Sequence, residues 1–243
     1  MKFYYDLHIH SCLSPCADDS MTPASIAGMA KLGGLDICAL TDHNSVKNCR
    51  AFSRACDFYG VIPLFGMELT TSEDVHMICL FSSLDTASEF GSFVDTVKIG
   101  YRNKPEIFGR QLIMDEDDNV VGEEENLLIN AAAVGIDEAY RRVVSLGGAC
   151  YPAHIDREAN GIISVLGAFP EDSGFTSYEL NSENDFDFYV RKYPHIANLR
   201  RVVCSDAHYI PDINDRMHSK ASTVSCGEKS GAADAVIAYL RGV

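Results

Sequence analysis

The sequence has no uninterrupted apolar run approaching the roughly 20 residues that a membrane-spanning helix needs. Its N-terminus carries one lysine and then a strand-like segment that includes Asp6, which is not the pattern of a secretory signal. It has nine cysteines but no Cys-x-x-Cys pair, and we interpret these cysteines as reduced thiols. These absences predict a cytoplasmic globular protein with no membrane partner.

Basic residues are scarce. Lys and Arg total 20 against 35 Asp and Glu, which gives a formal net charge of -15. Binding of a long duplex through its phosphates requires a basic surface. We therefore expect no long duplex nucleic acid as a partner.

Strand-like and helix-like segments alternate along the 243 residues. "FYYDLHIHS" and "LDICALTDH" are typical of strands, and "TPASIAGMAKLGG" between them is typical of a helix that begins after Thr22. No Gly-x-Gly-x-x-Gly motif follows a strand, which argues against an open doubly wound sheet. We therefore predict one α/β domain over residues 1–243, most simply a parallel barrel. Residues around 100–130 break the alternation and predict a short hairpin insertion around an acidic turn.

The first predicted strand ends in two histidines that flank one isoleucine. Side chains alternate along a strand, so His8 and His10 should share one face while Leu7 and Ile9 share the other. Two imidazoles about 6–7 Å apart on one face are able to bind one metal ion. The pattern alone leaves open a histidine pair that is solvated or satisfied in the core.

Potential metal ligands collect at the predicted strand ends. The set comprises His8, His10, His43, His76, His154, His208, Asp42, Glu68, Asp206 and either Asp18 or Asp19. The carboxyl ends of parallel barrel strands open onto one face, so these distant residues should converge. Such a cluster would be costly to bury without compensation, and imidazole with carboxylate suits Zn, Mn or Fe. No cysteine belongs to the set, which argues against a closed structural zinc site.

Six motifs occur in order between residues 6 and 208 and resemble those of the polymerase and histidinol phosphatase (PHP) family. They are "DLHIHS", "LTDHN", "MEL", "VHMICLF", "PAHIDR" and "CSDAH". The resemblance implies a distorted (β/α)7 barrel, a TIM-like fold. It also implies a site for two or three metal ions at the strand ends and the hydrolysis of phosphate esters.

The resemblance also implies which residues hold the ions. The three groups are His8, His10, Glu68 and Asp206; Glu68, His76 and His154; and Asp18, His43 and His208. Glu68 would bridge the two ions held by the first and second groups. Asp18 is preferred over Asp19 because the family's acid lies five residues before a proline, here Pro23. Some family members have histidine at that position.

The predicted cofactors are two or three divalent ions of manganese, zinc or iron. A metal ion lowers the pKa of its bound water to about 7, which predicts attack by a metal-bound hydroxide on a phosphomonoester. The predicted catalytic residues are Glu68, His43, Asp206 and His208. No Gly-x-Ser-x-Gly motif is present, which argues against a phospho-enzyme. Arg157 is a candidate for binding the substrate phosphate, with a salt bridge as the alternative interpretation.

Several substrates and two other functions stay open at this point. A small phosphorylated substrate is expected, either histidinol phosphate, a nucleotide or the end of a short oligonucleotide. One alternative function is an amidohydrolase-type metal hydrolase, which often bridges its ions with a carbamylated lysine. No predicted strand end supplies a lysine. The other alternative is a non-catalytic metal-binding accessory domain, against which the complete predicted ligand set argues.

Overall fold

The computed structural model of the chain describes residues 1–213, 223–225 and 227–243. The strands are β1 (Lys2–Asp6), β2 (Ile37–Leu40), β3 (Ile62–Thr70), β4 (His76–Phe81), β5 (Leu112–Met114), β6 (Val120–Glu123), β7 (Ala149–Pro152), β8 (Ser177–Leu180), β9 (Arg200–Val203) and β10 (Thr223–Ser225). The helices are α1 (Pro23–Gly33), α2 (Cys49–Tyr59), α3 (Leu84–Val97), α4 (Pro105–Phe108), α5 (Ile136–Ser145), α6 (Ile162–Leu166), α7 (Phe186–Lys192) and α8 (Ala232–Leu240). Short 3-10 turns span Glu183–Asp185, Pro194–Asn198, Ile210–Asp212 and Lys229–Gly231. None of these helices has the length and apolar character that crossing a membrane requires.

The strands curl into a TIM-like barrel. One sheet has the order β10-β1-β2-β3-β4-β7, and β8 pairs in parallel with β9. The backbone N–H of Ile155 donates to Glu179 O at 2.9 Å, and that of His10 donates to Ala207 O at 3.0 Å. These bonds connect the end of β7 to β8 and the end of β9 to β1. Seven strands (β1, β2, β3, β4, β7, β8 and β9) thus surround one interior, which confirms the predicted barrel.

The distortion of the barrel lies in β4. Strands β1, β2 and β3 are parallel, whereas β4 runs antiparallel to both β3 and β7. Because β4 is reversed, His76 at its beginning lies opposite Thr70 at the end of β3. The reversed strand therefore delivers a residue from its amino end to the face where the other strands end.

Two apolar clusters stabilise the barrel. One lies in the interior and joins side chains of the barrel strands, including Tyr5, Ile78 and Tyr151, to Leu7 and to residues of α8 such as Val236. The other packs the outer faces of the strands against the helices. Helix α1 begins where the sequence predicts, since the Thr22 side chain accepts a hydrogen bond from the N–H of Ser25.

The predicted alternation along β1 fails at its end. Leu7 packs in the interior cluster with Tyr5, whereas Ile9 packs in the outer cluster, so these two side chains do not share a face. The prediction that they share a face is wrong because regular strand geometry stops at Asp6. The Asp6 carboxylate accepts a 3.4 Å hydrogen bond from the N–H of His8, and the chain is irregular there.

The predicted hairpin insertion is confirmed. Strands β5 and β6 pair antiparallel around a turn in which Asp115 Oδ1 accepts hydrogen bonds from the N–H groups of Asp117 and Asn119. The N–H of Leu112 donates to Cys12 O at 2.8 Å, and the Asn44 side-chain amide donates to Leu128 O at 2.6 Å. These bonds hold the insertion beside the strand ends that carry the candidate ligands.

Candidate metal centre

Four donor atoms, from β3 and from the segments that follow β1 and β9, gather around one point. Glu68 Oε2 lies 3.5 Å from His8 Nε2 and 3.2 Å from His10 Nε2. Asp206 Oδ1 lies 3.2 Å and 3.3 Å from the same two nitrogens, which are 3.0 Å apart. Tetrahedral ligands at about 2.0–2.2 Å from an ion stand about 3.3–3.6 Å from one another. The separations therefore suit the ligands of a single cation.

The other oxygen of Glu68 faces a second group of donors. Glu68 Oε1 lies 2.7 Å from His76 Nδ1 and 2.9 Å from His154 Nε2. These two nitrogens are 3.3 Å apart. Glu68 is almost fully buried and presents one oxygen to each group, which is the arrangement of a carboxylate that bridges two ions.

Two further histidines border these groups. His43 Nδ1 lies 3.2 Å from Glu68 Oε2, and the His208 ring stacks on the His10 ring with centroids 4.2 Å apart. Nitrogen atoms of His10, His43 and His208 lie within 4.8 Å of one another. Eight of the nine residues proposed as ligands are thus brought together in the structure.

Asp18 is the ninth residue, and its carboxylate does not join the others. Asp18 is exposed, and its Oδ1 accepts hydrogen bonds from the N–H and the hydroxyl of Ser20. Its backbone N–H donates to His208 O at 3.0 Å, which places the loop at the rim of the centre. The role of Asp18 as a ligand stays a prediction.

Unsatisfied polar atoms at the centre fit a cation. His43 Nδ1 and His154 Nδ1 are buried and have no hydrogen-bond partner among the described residues. Buried polar atoms are nearly always paired in folded proteins. Asp206 Oδ1 and His43 Nδ1 point toward the other donors, and imidazole with carboxylate is a donor set for Zn, Mn or Fe. The residues present therefore fit divalent metal ions.

Two of the candidate ligands have unusual backbone conformations. His154 has a φ of 25° and Asp206 a φ of 51°, and both follow the end of a barrel strand. A non-glycine residue held in the left-handed region costs about 1–3 kcal/mol, and such strain concentrates at functional sites. The fold thus holds these two side chains in the centre although their backbones would otherwise prefer a negative φ.

The charges of the centre shift the pKa values of its carboxylates downward. Burial alone would raise the pKa of Glu68, but the neighbouring imidazoles of His76 and His8 outweigh burial and lower it well below its usual range. Burial likewise opposes the charged form of Asp206, and the imidazole of His8 and the hydrogen bond to His10 lower its pKa. Both carboxylates are therefore ionised and able to bind a cation at neutral pH.

The histidines of the centre differ in the direction of their pKa shifts. Burial lowers the pKa of His10, but its hydrogen bonds to Asp206 and Glu68 outweigh burial and raise the pKa to about 9. The pKa of His8 is also raised, because the charge of Glu179 in particular outweighs burial. Burial lowers the pKa of His43, and it lowers that of His208 to about 4. His43 and His208 are therefore neutral at pH 7, whereas His8 and His10 are protonated when no cation is bound.

Sequence reasoning missed Glu179 and Ser14, which lie behind two of the imidazoles. His8 Nδ1 lies 2.9 Å from Glu179 Oε1, and His10 Nδ1 lies 3.0 Å from Ser14 Oγ. The Ser14 hydroxyl donates to Asp42 at 2.7 Å. Glu179 could have been found as an acidic residue inside the apolar strand "FTSYELN", the same signal that marked Glu68.

A cavity of about 370 Å³ opens above the centre. Its lining consists of Cys16, His43, Glu68, His76, Ile129, Arg157, Ala159, Asn160 and His208. Arg157 Nη1 lies 2.6 Å from Asp206 Oδ2, so the salt bridge weighed as the alternative for this arginine is present. About half of the Arg157 side chain remains exposed.

Comparisons with known proteins match the fold and the motifs. A family model described as PHP domain matches residues 6–158. The lesion-specific endonuclease Q from Pyrococcus furiosus is 18% identical with a TM-score of 0.64, and the alignment covers 100% of this chain but 56% of that protein. A protein from Bifidobacterium adolescentis, assigned as a metal-dependent phosphoesterase, is 17% identical with a TM-score of 0.56, covering 84% of this chain and 87% of that one. No curated protein matches the sequence significantly.

A further structure corrects one expectation. Endonuclease Q in complex with a 27-mer duplex substrate is 21% identical with a TM-score of 0.56, and the alignment covers 86% of this chain and 50% of that one. A fold of this kind therefore accommodates a duplex, and the exclusion of long duplex nucleic acid is wrong. Net charge sums over the whole surface, whereas binding of nucleic acid depends on the groups around the site.

Proposed function

Because the chain belongs to the PHP domain family, we propose that its centre is that of a metal-dependent phosphoesterase. Two or three divalent ions of manganese, zinc or iron would be held by His8, His10, Glu68, His76, His154, Asp206, His43, His208 and Asp18. One observation carries the proposal: Glu68 directs Oε2 to His8 and His10 and Oε1 to His76 and His154. A carboxylate shared in this way suits a pair of ions that act on one phosphoryl group.

Divalent ions, when bound, supply Lewis acidity to the phosphoryl oxygens and lower the pKa of water from 15.7 to about 7. The chain itself supplies position and proton transfer. Glu68 and Asp206, ionised in the metal-free protein, carry the negative charge that retains cations. His43 and His208 line the cavity in their neutral form. An imidazole that holds a cation is no longer a base, so only one that is left unbound by the ions can accept a proton at a ring nitrogen.

We propose that Arg157 binds the substrate phosphate. Its guanidinium borders the cavity and is half-exposed, and its contact with Asp206 involves Nη1. A guanidinium has five N–H donors, so most of them remain able to bind phosphate oxygens. The salt bridge and the phosphate contact are therefore compatible roles.

The size of the cavity supports a small substrate. A volume of about 370 Å³ is near the lower end for ligand pockets, which run from about 300 to 1,000 Å³. We propose a small phosphomonoester, namely histidinol phosphate, a nucleotide or the end of a short oligonucleotide. The eight cysteines within the described residues are all free thiols, which supports a reducing, cytoplasmic environment.

A second candidate is cleavage of nucleic acid at a lesion. It is favoured by the match of the whole chain to endonuclease Q, although the chain spans only 56% of that protein's length. In the complex of endonuclease Q, an abasic lesion of the duplex lies at the active site. Enzymes that act within a duplex extrude the target nucleotide, and one extruded nucleotide suits a cavity of this size.

The test is a substrate screen of the protein loaded with manganese or zinc. Phosphomonoesters, nucleotides, oligonucleotides with a terminal phosphate, phosphodiesters and a duplex with one abasic site are compared. We expect hydrolysis of at least one class by the wild type and by Glu89→Gln, which alters an exposed glutamate of α3. Glu68→Gln should hydrolyse the accepted substrate at least about 100-fold more slowly, because the shared carboxylate becomes a neutral amide. A loaded wild type that is inactive on every class would overturn the proposal.

A further inference from the structure

Glu179 is a buried carboxylate that pairs with no lysine or arginine of the described residues. It lies in β8 with no exposed surface, and its one ion-pair partner among the described residues is His8. Its Oε2 has no hydrogen-bond partner in the part of the chain that the structure describes. Burying an ionised carboxylate is unfavourable unless a positive charge compensates it. The position therefore requires an explanation that apolar packing does not supply.

The contacts of Glu179 Oε1 all lead to candidate ligands. This oxygen lies 2.9 Å from His8 Nδ1 and accepts a 3.3 Å hydrogen bond from the backbone N–H of His154. His8 belongs to the first group of donors and His154 to the second. The same oxygen thus contacts a ring in one group and the strained backbone of a residue in the other.

The hydrogen bond decides which nitrogen of His8 is free. A carboxylate only accepts, so His8 Nδ1 must carry the proton that it donates to Glu179. In a neutral imidazole, Nε2 then carries the lone pair. His8 Nε2 is the atom that lies beside Glu68 Oε2 and Asp206 Oδ1, where a cation would bind.

We propose that Glu179 is a positioning residue that holds His8 in its Nδ1–H tautomer and so strengthens cation binding at the centre. The inference rests on the cation binding of the proposed function, but it requires no particular substrate. Histidine ligands backed by a carboxylate are oriented and made more basic by it, and loss of such a partner costs about 10–100-fold in metal affinity.

His10 provides an internal comparison. Its Nδ1 contacts the Ser14 hydroxyl, and that hydroxyl donates in turn to Asp42. The negative charge behind His10 is thus one residue further away than the charge behind His8. Ser14→Ala should therefore lower zinc affinity less than Glu179→Ala does and should leave the tautomer of His8 unchanged.

The experiment measures zinc affinity by competition with a chromogenic chelator for the wild type, Glu179→Ala, Glu179→Gln and the exposed control Glu183→Gln. Glu179→Ala should bind zinc about 10–100-fold more weakly. Glu179→Gln retains an oxygen that accepts a hydrogen bond but lacks the negative charge. Its zinc affinity should fall about fivefold. Glu183→Gln should match the wild type.

A second readout reports the hydrogen bond between His8 and Glu179 directly. In protein with 15N-labelled histidine, 15N–1H correlations of the zinc-loaded wild type should show the Nδ1 proton of His8, assigned by its loss in His8→Asn. Because zinc on Nε2 keeps a proton on Nδ1 in every variant, the measured quantities are the solvent exchange and the chemical shift of that proton. Glu179→Ala should speed its exchange and move its signal upfield, and Glu179→Gln should retain most of the wild-type behaviour. A change in general folding would not act on this one proton selectively.

Folded Glu179→Ala with wild-type zinc affinity and an unchanged Nδ1 proton signal of His8 would overturn the inference. If the alanine variant does not fold, Glu179→Gln with wild-type zinc affinity overturns it instead. Failure of the proposed function has a different signature, since a wild type that binds zinc but hydrolyses no ester leaves the role of Glu179 intact.

Discussion

Arg157 Nη1 lies 2.6 Å from Asp206 Oδ2, while Asp206 Oδ1 faces the nitrogens of His8 and His10. One carboxylate therefore joins a solvent-facing guanidinium to the buried donors of the metal centre. Because Arg157 is not itself a proposed ligand, it can be substituted without removing a donor atom of the metal centre.

Arg157→Ala should raise KM about 10-fold or more with little effect on stability. A charge-assisted hydrogen bond to phosphate contributes about 1.5–3 kcal/mol, whereas a half-exposed ion pair contributes about 0–1 kcal/mol to folding. Steady-state kinetics and thermal melts separate the two effects. Arg157→Lys, which keeps the charge but not the planar fork, should fall between alanine and the wild type. An unchanged KM for every accepted substrate would remove Arg157 from substrate binding.

Binding of zinc or manganese should release protons at pH 7. The raised pKa values of His8 and His10, about 9 for His10, mean that both are protonated before a cation binds. Metal ligation requires neutral imidazoles, so affinity should rise with pH up to about 9. Calorimetry in two buffers of different ionisation enthalpy gives the number of protons released. Binding with no net proton release would contradict the assignment of these two residues as ligands.

The metal-free protein should be most stable near neutral pH. The pKa of His10 is about 9 in the folded protein and about 6.5 in the unfolded chain. Its contribution to the free energy of unfolding is therefore fully present below about pH 6.5 and is lost as the pH rises through about 9. The pKa values of Glu68 and Asp206 are lowered, so their contribution is present above about pH 4.5 and is lost as pH falls. Thermal melts with EDTA from about pH 2 to pH 10 should show both declines. Saturating zinc should reduce the loss of stability at alkaline pH, because the bound cation takes the place of the protons on His8 and His10.

Asp18→Ala tests the ion shared with His43 and His208. If Asp18 turns from Ser20 to bind this ion, the variant should lose one ion and retain those held through Glu68. Metal content after dialysis gives the count, and Asp19→Ala is the matched control because Asp19 contacts Arg110 instead. The same metal content in Asp18→Ala and the wild type would exclude Asp18 as a ligand.

Gly66→Ala should destabilise the barrel and the centre together. A Cβ atom at Gly66 would lie 1.9 Å from Cys79 O on the neighbouring strand, so β3 and β4 would have to separate. Overpacking of this kind costs about 1–3 kcal/mol. Denaturant unfolding should show the loss, with Gly100→Ala as the control, because a Cβ there meets nothing within 4 Å. Equal stability of Gly66→Ala and the wild type would mean that the strands adjust without strain.

Most of the centre was predictable because its chemistry sits at strand ends. His8, His43, Glu68 and Asp206 are far apart in sequence, yet the barrel carries all strand ends to one face. The polar residues interrupt apolar strands, so they stand out in the sequence. Glu179 shows the same signal but belongs to no recognised motif, and it became visible only through its contact with His8.

The sequence by itself determined the alternation of strands and helices, the hairpin insertion and the convergence of imidazoles with Glu68, because these follow from local periodicity and barrel topology. Only the tertiary structure decided that Leu7 and Ile9 separate, that the Asp18 carboxylate turns to Ser20, and that one Glu68 oxygen faces each group of donors. These outcomes depend on which hydrogen bonds and packing partners are within reach at irregular strand ends. Periodicity specifies the face of a regular strand, but it does not specify where a side chain turns after the strand has ended.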